Sequence, residues 1–395
     1  EIYTLSLHDA LPIFGRRLPN AESFQLLHEM LVTKNTSAKY IGGFRFNNLE
    51  MQDGTWNGFP SFLFVLPLIQ LTVEENRYLM SCYLWIEKRE ESERKTKDLL
   101  RALDRLVPAK AERKKRFPAI TRISRIPNRN LWKKQCKKAL QLFDSGSMGK
   151  IMLARQTVLE FSHDFSPIRY LDGYPYPQNM TYRFYFEPVP NLAFISFTPE
   201  RLYSRKGALM QTEALAGTYV KEVCNASDSV ASRQLLGSEK DIREHGYVKE
   251  AIYNQLLQVA RSVEMEKEPR VLQLHRLAHL YTRCTATLKP ECCNDSTLLS
   301  LLHPTPAVGG SPKEEAMRHI MDIEPFCRGW YAAPIGWISG ERAEFCVGIR
   351  SALVCEATTN LYSGAGLVKG SDPDLEWREV EQKIGDIMAM TGEFT

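Results

Sequence analysis

Strand-like and helix-like segments follow one another along this chain without the strict strand–helix–strand repeat of a doubly wound parallel sheet. Residues 150–161 have strand character, whereas residues 238–261 and 374–390 carry apolar stripes at helical spacing. Three further predicted strands precede the last helix, at residues 332–338, 343–353 and 360–367. Successive strands are typical of antiparallel sheets. The pattern therefore predicts a mixed α+β fold.

The remaining segments extend this prediction towards both ends. Strands of an antiparallel sheet are predicted between residues 40 and 84, and the apolar stretch 62–71 is interpreted as a core strand. Residues 182–186 and 192–197 are typical of a hairpin joined at 188–191. Further helices are predicted at residues 87–106, 130–143 and 313–323.

No internal repeat or low-complexity linker divides the chain, so one domain is predicted over residues 14–395. Its sheet and helix portion covers residues 14–149, and its catalytic portion covers residues 150–395. Residues 1–13 (EIYTLSLHDALPI) resemble a translated sequencing adapter and lack the features of a secretory signal. They are interpreted as a sequence artefact, with the true start missing.

Composition limits the classes of partner. The chain is 44% hydrophobic and 25% charged with a formal net charge of +4, which argues against nucleic acid as the main partner. The basic run 113–116 is interpreted as a solvated surface. No apolar run approaches the roughly 18 residues of a membrane span. The nine cysteines include no CxxC pair, so we expect reduced thiols and a cytoplasmic location, or a plastid if the source is a photosynthetic eukaryote.

Two acidic pairs in predicted helices suggest a metal site. Asp241 and Glu244 are three residues apart, as are Glu376 and Glu379, and this spacing places both carboxylates on one helix face. Mg²⁺ prefers oxygen ligands and often uses only one or two carboxylates. Solvated helices also carry such pairs, so this alternative stays open.

Three other positions carry candidate chemistry. Lys150 begins an apolar strand, which alone is a weak signal, and Glu213 lies within small apolar residues at 212–218. An apolar pocket would make Glu213 a general acid, whereas a carboxylate facing water is an equally good interpretation. Arg350 lies on a predicted apolar strand, where a buried guanidinium needs an anionic partner. Residues 362–367 supply bare backbone amides for an anion, although no phosphate-loop motif is present.

Taken in order, eight segments resemble the chorismate-utilising enzymes, which include isochorismate, salicylate, anthranilate and aminodeoxychorismate synthases. The resemblance covers roughly residues 150–383. Its segments are KIMLAR (150–155), TPERL (198–202), TEALAGT (212–218), SEKDIREH (238–245), LLHPTPAVGG (301–310), CRGWYAAPIGW (327–337), GIRSAL (348–353) and YSGAGLVKGSDPDLEW (362–377).

The resemblance implies one large α+β domain with two packed antiparallel sheets, surrounding helices and a deep cleft for Mg²⁺ and chorismate. It implies Glu244 and Glu379 as the main metal ligands, assisted by Asp241 and Glu376. It implies that the substrate is held by His303, Thr305, Tyr331, Arg350, Gly364, Ala365, Gly366, Lys383, Gly217 and Thr218.

Two positions separate the members of this family. Ala216 occupies the place of the lysine that attacks the ring in aminodeoxychorismate synthases, and Lys150 occupies a place that is usually glutamine in anthranilate synthases. The resemblance thus implies an isochorismate synthase, of the menaquinone or phylloquinone type. In that scheme a neutral Lys150 takes a proton from the water that attacks ring carbon 2, and protonated Glu213 donates to the hydroxyl leaving carbon 4.

Alternatives remain at this stage. A salicylate synthase would make isochorismate and then eliminate pyruvate, and an inactive chorismate-binding homologue would retain the cleft alone. The residues after Thr218, namely Tyr219, Val220 and Lys221, depart from the arginine that is usual in the family. We further expect a monomer or weak homodimer that binds neither nucleic acid nor membrane.

Overall fold

The computed structural model describes residues 2–4, 11–14, 38–47, 54–74, 77–86, 88–106, 116–175, 181–221, 228–274 and 276–392. Its strands are β1 (Ile2–Thr4), β2 (Leu11–Phe14), β3 (Tyr40–Phe44), β4 (Phe62–Leu66), β5 (Ile69–Glu74), β6 (Arg77–Cys82), β7 (Ile120–Ile126), β8 (Lys150–Phe161), β9 (Tyr182–Val189), β10 (Leu192–Thr198), β11 (Arg201–Lys206), β12 (Leu209–Val220), β13 (Ala260–Met265), β14 (Arg270–Gln273), β15 (Leu277–Leu288), β16 (Gly310–Ser311), β17 (Pro334–Ile338), β18 (Arg342–Val347), β19 (Ser351–Cys355) and β20 (Thr358–Val368).

The α-helices of the described residues lie mostly between these strands. They are α1 (Ser92–Asp104), α2 (Arg129–Asp144), α3 (Arg169–Gly173), α4 (Asp228–Gly237), α5 (Glu239–Val259), α6 (Asp295–Leu302), α7 (Lys313–Ile323) and α8 (Pro373–Met390). Side-chain caps explain two of the starts: Ser238 accepts from the amide of Asp241, and Asp372 caps α8 just before Pro373. None of these helices combines the length and the apolarity needed to cross a membrane.

Two large antiparallel sheets form the architecture. The seven-stranded sheet has the order β16-β8-β20-β19-β10-β9, with β7 also paired to β8. The ten-stranded sheet has the order β13-β15-β12-β11-β18-β17-β3-β4-β2, with β14 also paired to β15. Strands β1, β5 and β6 form a small third sheet. The predicted α+β fold with two large antiparallel sheets is confirmed.

The main core cluster takes side chains from both large sheets. Trp330 packs edge-on against Phe194 of β10 at a centroid distance of 6.1 Å, and Phe345 of β18 belongs to the same buried cluster. Strand β8 is buried along almost its whole length, including its polar side chains at Lys150, Arg155, Gln156 and Thr157. The cluster therefore joins the two sheets into one hydrophobic core.

The chain crosses between the large sheets at two neighbouring links. Residues Pro199 and Glu200 connect β10 to β11, and residues 348–350 connect β18 to β19. The links bind each other, because the amide of Val347 donates to the carbonyl of Glu200 at 3.0 Å and that of Phe197 donates to the carbonyl of Arg350 at 3.1 Å. The antiparallel pair formed by β10–β11 and β18–β19 thus passes from one sheet to the other as a unit.

Two segments that were each predicted as one strand form two strands in the structure. Residues 343–353 form two strands in different sheets, and Arg350 lies in the link with a φ of 48° rather than on a strand. The chain turns there because Gly348 packs against the carbonyl of Trp330, where a Cβ would lie 2.8 Å away. Residues 62–71 also divide into β4 and β5, and Pro67 between them has no amide hydrogen for a ladder.

Other boundaries are close to the predictions, and some predictions lie partly outside the described residues. The helix predicted from residue 87 begins at Ser92 after a 3₁₀ turn, and residue 87 itself is outside the described residues. Of the basic run 113–116, only Arg116 is described. Strand β1 and part of β2 fall within residues 1–13, whose interpretation as an artefact stays a prediction. All eight cysteines in the described ranges are free thiols.

Candidate active site

A cavity lies where the two crossing links meet β12, β20, α5 and α8. The links contribute Pro199, Glu200, Ile349 and Arg350, and β12 contributes residues 215–218. Glu244 of α5, Lys383 of α8 and Gly364 of β20 complete the charged and backbone part of the wall, and Tyr331 also lines it. The cavity therefore collects carboxyl, ammonium and guanidinium groups in one enclosed space.

Lys150 is not among the residues that line this cavity, and it is connected to the cavity through its contact with Glu244. The lysine is completely buried, and its Nζ lies 3.0 Å from Oε1 of Glu244. Gly366 makes this possible, because a Cβ there would collide with the Glu244 carboxylate and approach Cε of Lys150. Burial opposes ionisation of Glu244, but the charges of Lys150, Lys240 and Lys383 outweigh it and hold the pKa of Glu244 below its ordinary value.

Two further carboxylates carry lysine partners. Lys383 lies 2.7 Å from Glu379 and donates to the carbonyl of Gly364 at 2.9 Å. Lys240, to which the sequence analysis gave no role, lies 2.6 Å from the buried Glu376. Asp241 packs against Gly217, whose φ of 76° favours glycine. The two acidic pairs thus lie on α5 and α8, as predicted.

These carboxylates have the chemistry of a divalent cation site. Within the described residues no group of three or more His, Cys, Asp or Glu side chains is arranged to hold a metal ion, and lysines pair with Glu244, Glu376 and Glu379. However, Oε2 of Glu376 is buried and has no hydrogen-bond partner among the residues that the structure describes. Burial, then the charge of Glu379, raises the pKa of Glu376 to about 7. An orphaned oxygen among crowded carboxylates fits a hard cation.

Glu200 is a carboxyl group that the sequence analysis did not single out, although it lies within TPERL. It lines the cavity and is only 5% exposed. Burial, and then the charge of Glu213, raises the pKa of Glu200 to about 8, against the opposing charges of Lys150, Lys383 and Arg350. The Glu200 carboxyl therefore holds its proton near neutral pH.

Glu213, the predicted acid, is not among the residues that line the cavity. Its Oε1 accepts a hydrogen bond from the amide of Arg201 at 2.9 Å, and the hydroxyl of Tyr281 also donates to its carboxylate. Burial raises the pKa of Glu213 as well, although the hydrogen bond from the Arg201 amide and the positive charge of the Arg201 side chain oppose this. Glu213 is therefore located behind Glu200.

His279 is a second group that the sequence analysis missed. Both His279 and Arg350 line the cavity, and Nη2 of Arg350 lies 2.8 Å from Nε2 of His279. Because a guanidinium can only donate, Nε2 must accept, and Nδ1 carries the proton towards the carbonyl of Gly217 at 3.2 Å. Burial, followed by the charge of Arg350, lowers the pKa of His279 well below its ordinary value. The pair keeps a neutral imidazole beside the guanidinium.

The predicted substrate-binding residues divide into two groups. Those that line the cavity are Gly217, Thr218, Tyr331, Arg350, Gly364 and Lys383. Those outside the lining are His303, Thr305, Ala365 and Gly366. His303 lies between the rings of Phe44 and Phe46 and donates from Nε2 to the carbonyl of Phe46 at 3.0 Å. The Thr305 hydroxyl is buried without a hydrogen-bond partner in the described part of the chain.

Comparison with known proteins places the chain in a family. The family model for chorismate binding enzymes matches residues 20–392. The chloroplastic isochorismate synthase of Catharanthus roseus is 31% identical over 384 residues, which are 95% of this chain and 66% of that protein. Isochorismate synthase MenF of Bacillus subtilis is 31% identical over 89% of this chain and 74% of that protein. The chain thus spans about two thirds to three quarters of the length of these relatives.

Solved structures agree with this placement. The menaquinone-specific isochorismate synthase MenF of Escherichia coli superposes with a TM-score of 0.80 at 26% identity, covering 99% of this chain and 85% of that one. Anthranilate synthase component I of Streptococcus pneumoniae superposes with a TM-score of 0.77 at 20% identity, covering 93% and 85%, and shows the fold alone. By sequence and by structure, the chain belongs to the chorismate-binding enzyme family.

Proposed function

We propose that this chain is an isochorismate synthase, which isomerises chorismate to isochorismate. The single observation that carries the proposal is the cavity whose wall brings a proton-holding carboxyl, Glu200, together with Glu244, the partner of the buried Lys150. Relatives named isochorismate synthase support the choice of reaction within the family. The substrate is a dianion, and Arg350 and Lys383 supply cationic groups for its carboxylates.

The proposed reaction moves a hydroxyl group across the ring. The amine of Lys150 takes a proton from a water molecule whose oxygen forms a bond to ring carbon 2. The ring double bonds shift, the bond from carbon 4 to its hydroxyl breaks, and Glu200 donates the proton with which that hydroxyl leaves as water. One water is consumed and one is released, so the net change is an isomerisation. Each proton transfer contributes on the order of 10²–10⁴ in rate.

The neighbouring groups make both proton transfers favourable. The carboxylate of Glu244 lies 3.0 Å from Nζ of Lys150 and pairs with its ammonium form, so the amine would be released to act as base once a Mg²⁺ ion took over this carboxylate. Burial of Glu200 keeps its proton available at neutral pH. Tyr331 and the backbone at Gly364 shape the wall beside Arg350, where the enolpyruvyl carboxylate would bind. These residues orient the ring between base and acid.

The acidic helices would hold Mg²⁺. Glu244 and Glu379 are the proposed main ligands, with Asp241 and Glu376 binding directly or through water. A bound Mg²⁺ would neutralise and orient the ring carboxylate of the substrate. Lys150, Lys240 and Lys383 now neutralise three of these carboxylates, so we expect the cation to compete with the lysines for them.

The product of the purified protein tests the proposal. Incubated with chorismate and Mg²⁺, the protein is expected to accumulate isochorismate, identified by chromatography against a standard. Glu200→Gln, which keeps the shape of the side chain but cannot donate the proton, is expected to bind chorismate without turnover. Accumulation of salicylate and pyruvate would assign the chain to salicylate synthases instead, and binding without any product would identify a non-catalytic homologue.

A further inference from the structure

Glu213 is a carboxylate next to the cavity that the proposed reaction does not use. It lies on β12 with a half-buried side chain, and two donors hold it in place. These donors are the backbone amide of Arg201, at 2.9 Å from Oε1, and the hydroxyl of Tyr281. A carboxylate that accepts from a backbone donor is held in one orientation, so its negative charge has a fixed position relative to its neighbours.

The contact with Arg201 reaches the proposed proton donor through the backbone. Arg201 directly follows Glu200, at the end of the link that crosses between the sheets. The link has further contacts: the Glu200 amide donates to the hydroxyl of Thr198 at 3.1 Å, the Glu200 carbonyl accepts from Val347 at 3.0 Å, and Arg201 pairs with Cys346 in the ladder of β11 and β18. Glu213 thus provides a side-chain anchor on the C-terminal side of Glu200.

Charge is a second connection between the two carboxyl groups. Burial has the largest influence on Glu200, and the negative charge of Glu213 further disfavours its ionisation. Three cations act on Glu200 in the opposite sense, namely Lys150 of β8, Lys383 of α8 and Arg350 of the second link. Glu213 itself is faced by Arg201, Tyr281 and Glu344. Glu213 is therefore the negative group that offsets the cations around Glu200.

We propose that Glu213 is a positioning residue for Glu200: it fixes the link that carries the Glu200 carboxyl and places a negative charge beside that carboxyl. This inference rests on the proposed function, in which Glu200 donates the proton to the leaving hydroxyl. Glu213 neither lines the cavity nor contacts the reacting atoms there. Its removal should therefore change the pH range over which Glu200 donates its proton, rather than abolish turnover at every pH.

Two variants separate the contact from the charge. Glu213→Gln retains an oxygen for the Arg201 amide but removes the charge, so the pKa of Glu200 should fall. A proton donor works only while protonated, so kcat decreases as pH rises through its pKa. The alkaline limb of the kcat profile should therefore move to lower pH by roughly one unit, with the plateau retained. Glu213→Leu removes contact and charge, and should also lower the plateau by about tenfold or more, with KM little changed.

Glu344→Gln is the matched control. Glu344 lies near Arg201, with 3.7 Å between Oε1 and Nε, and its carboxylate also faces Glu213. It makes no contact with the Arg201 amide, so the pH profile of this variant should match that of the unchanged protein. Melting curves confirm that each variant is folded before its kinetics are compared.

The outcomes distinguish the inference from the proposed function. A shifted alkaline limb in Glu213→Gln, absent from Glu344→Gln, supports the inference. Unchanged profiles in both Glu213 variants would overturn the inference while leaving isochorismate formation intact. Loss of turnover at all pH values in Glu213→Gln, combined with activity in Glu200→Gln, would make Glu213 the proton donor and overturn both the inference and the role given to Glu200.

Discussion

Glu200 and Glu244 line the same cavity, are both almost completely buried, and have pKa values shifted in opposite directions. Burial raises the pKa of Glu200 to about 8, with help from the negative Glu213. Lys150 and two other lysines overcome the same burial at Glu244 and lower its pKa. The comparison teaches that neighbouring charges decide which carboxyl keeps its proton and which stays ionised.

The two glutamates also differ in how the fold holds them. Glu200 is part of a link between the sheets, where it is fixed by backbone hydrogen bonds, whereas Glu244 lies on α5 and is held by a side-chain ion pair. Backbone hydrogen bonds thus determine the position of the Glu200 carboxyl group. The Glu244 region is an electrostatic site in which lysines and a cation would share the same carboxylates.

Removing the base should have the largest effect. Lys150→Met fills a similar buried volume but removes the amine, so kcat is expected to fall on the order of 10²–10⁴-fold. It also removes the nearest positive charge from Glu244. Steady-state kinetics of the folded variant provide the measurement, with Lys369→Met as the control because Lys369 forms only an exposed pair with Asp144. A Lys150→Met turnover within tenfold of the unchanged protein would rule out Lys150 as the base.

A smaller effect is expected from a substitution at Gly366, the glycine against which the Glu244 carboxylate packs. In Gly366→Ala the new methyl group would displace the Glu244 carboxylate, so the Mg²⁺ concentration for half-maximal activity should rise on the order of 10-fold. Calorimetric titration with Mg²⁺ gives the same comparison without turnover. Gly246→Ala on α5 is the control, since a Cβ there meets nothing within 4 Å and helix propensity predicts about 1 kcal/mol of added stability. Equal Mg²⁺ affinity in both variants would contradict the proposed site.

The smallest effect concerns stability as a function of pH. The pKa of Glu200 is raised in the folded protein, so its contribution is fully present below the unfolded value near 4.5 and is lost as pH rises through about 8. Glu200→Gln removes this loss. The melting temperature of Glu200→Gln minus that of the unchanged protein should therefore increase by a few degrees as pH rises from 5 to 8. Parallel melting curves across this window would indicate that Glu200 is not buried with its proton.

Local sequence signals were sufficient for much of this molecule. The apolar run 150–161 and the helix at 313–323 have the predicted bounds, because each depends on a pattern within its own segment. The acidic i,i+3 pairs likewise lie on α5 and α8. The pairing of Glu379 with Lys383 is an i,i+4 contact within α8, whereas the pairing of Glu244 with Lys150 and of Glu376 with Lys240 depends on contacts between distant segments and was not predictable from spacing.

The distinction between Glu200 and Glu213 illustrates what local patterns miss. Both lie in segments that resemble the family, TPERL and TEALAGT, and the apolar neighbours of Glu213 drew attention away from Glu200, which Arg201 follows. The crossing itself was hidden because residues 343–353 look like one continuous apolar strand. Only the pairing of β18 and β19 with different sheets shows that Arg350 turns towards the cavity with a left-handed backbone.

The protonation state of Glu200 tests the central claim most directly. Infrared difference spectra between the unchanged protein and Glu200→Gln, recorded from pH 5 to pH 10, isolate the carbonyl band of a protonated carboxyl group. We expect this band to be present at pH 7 and to disappear as pH rises through about 8. A difference spectrum that shows only an ionised carboxylate at pH 7 would contradict the assignment of Glu200 as the proton donor.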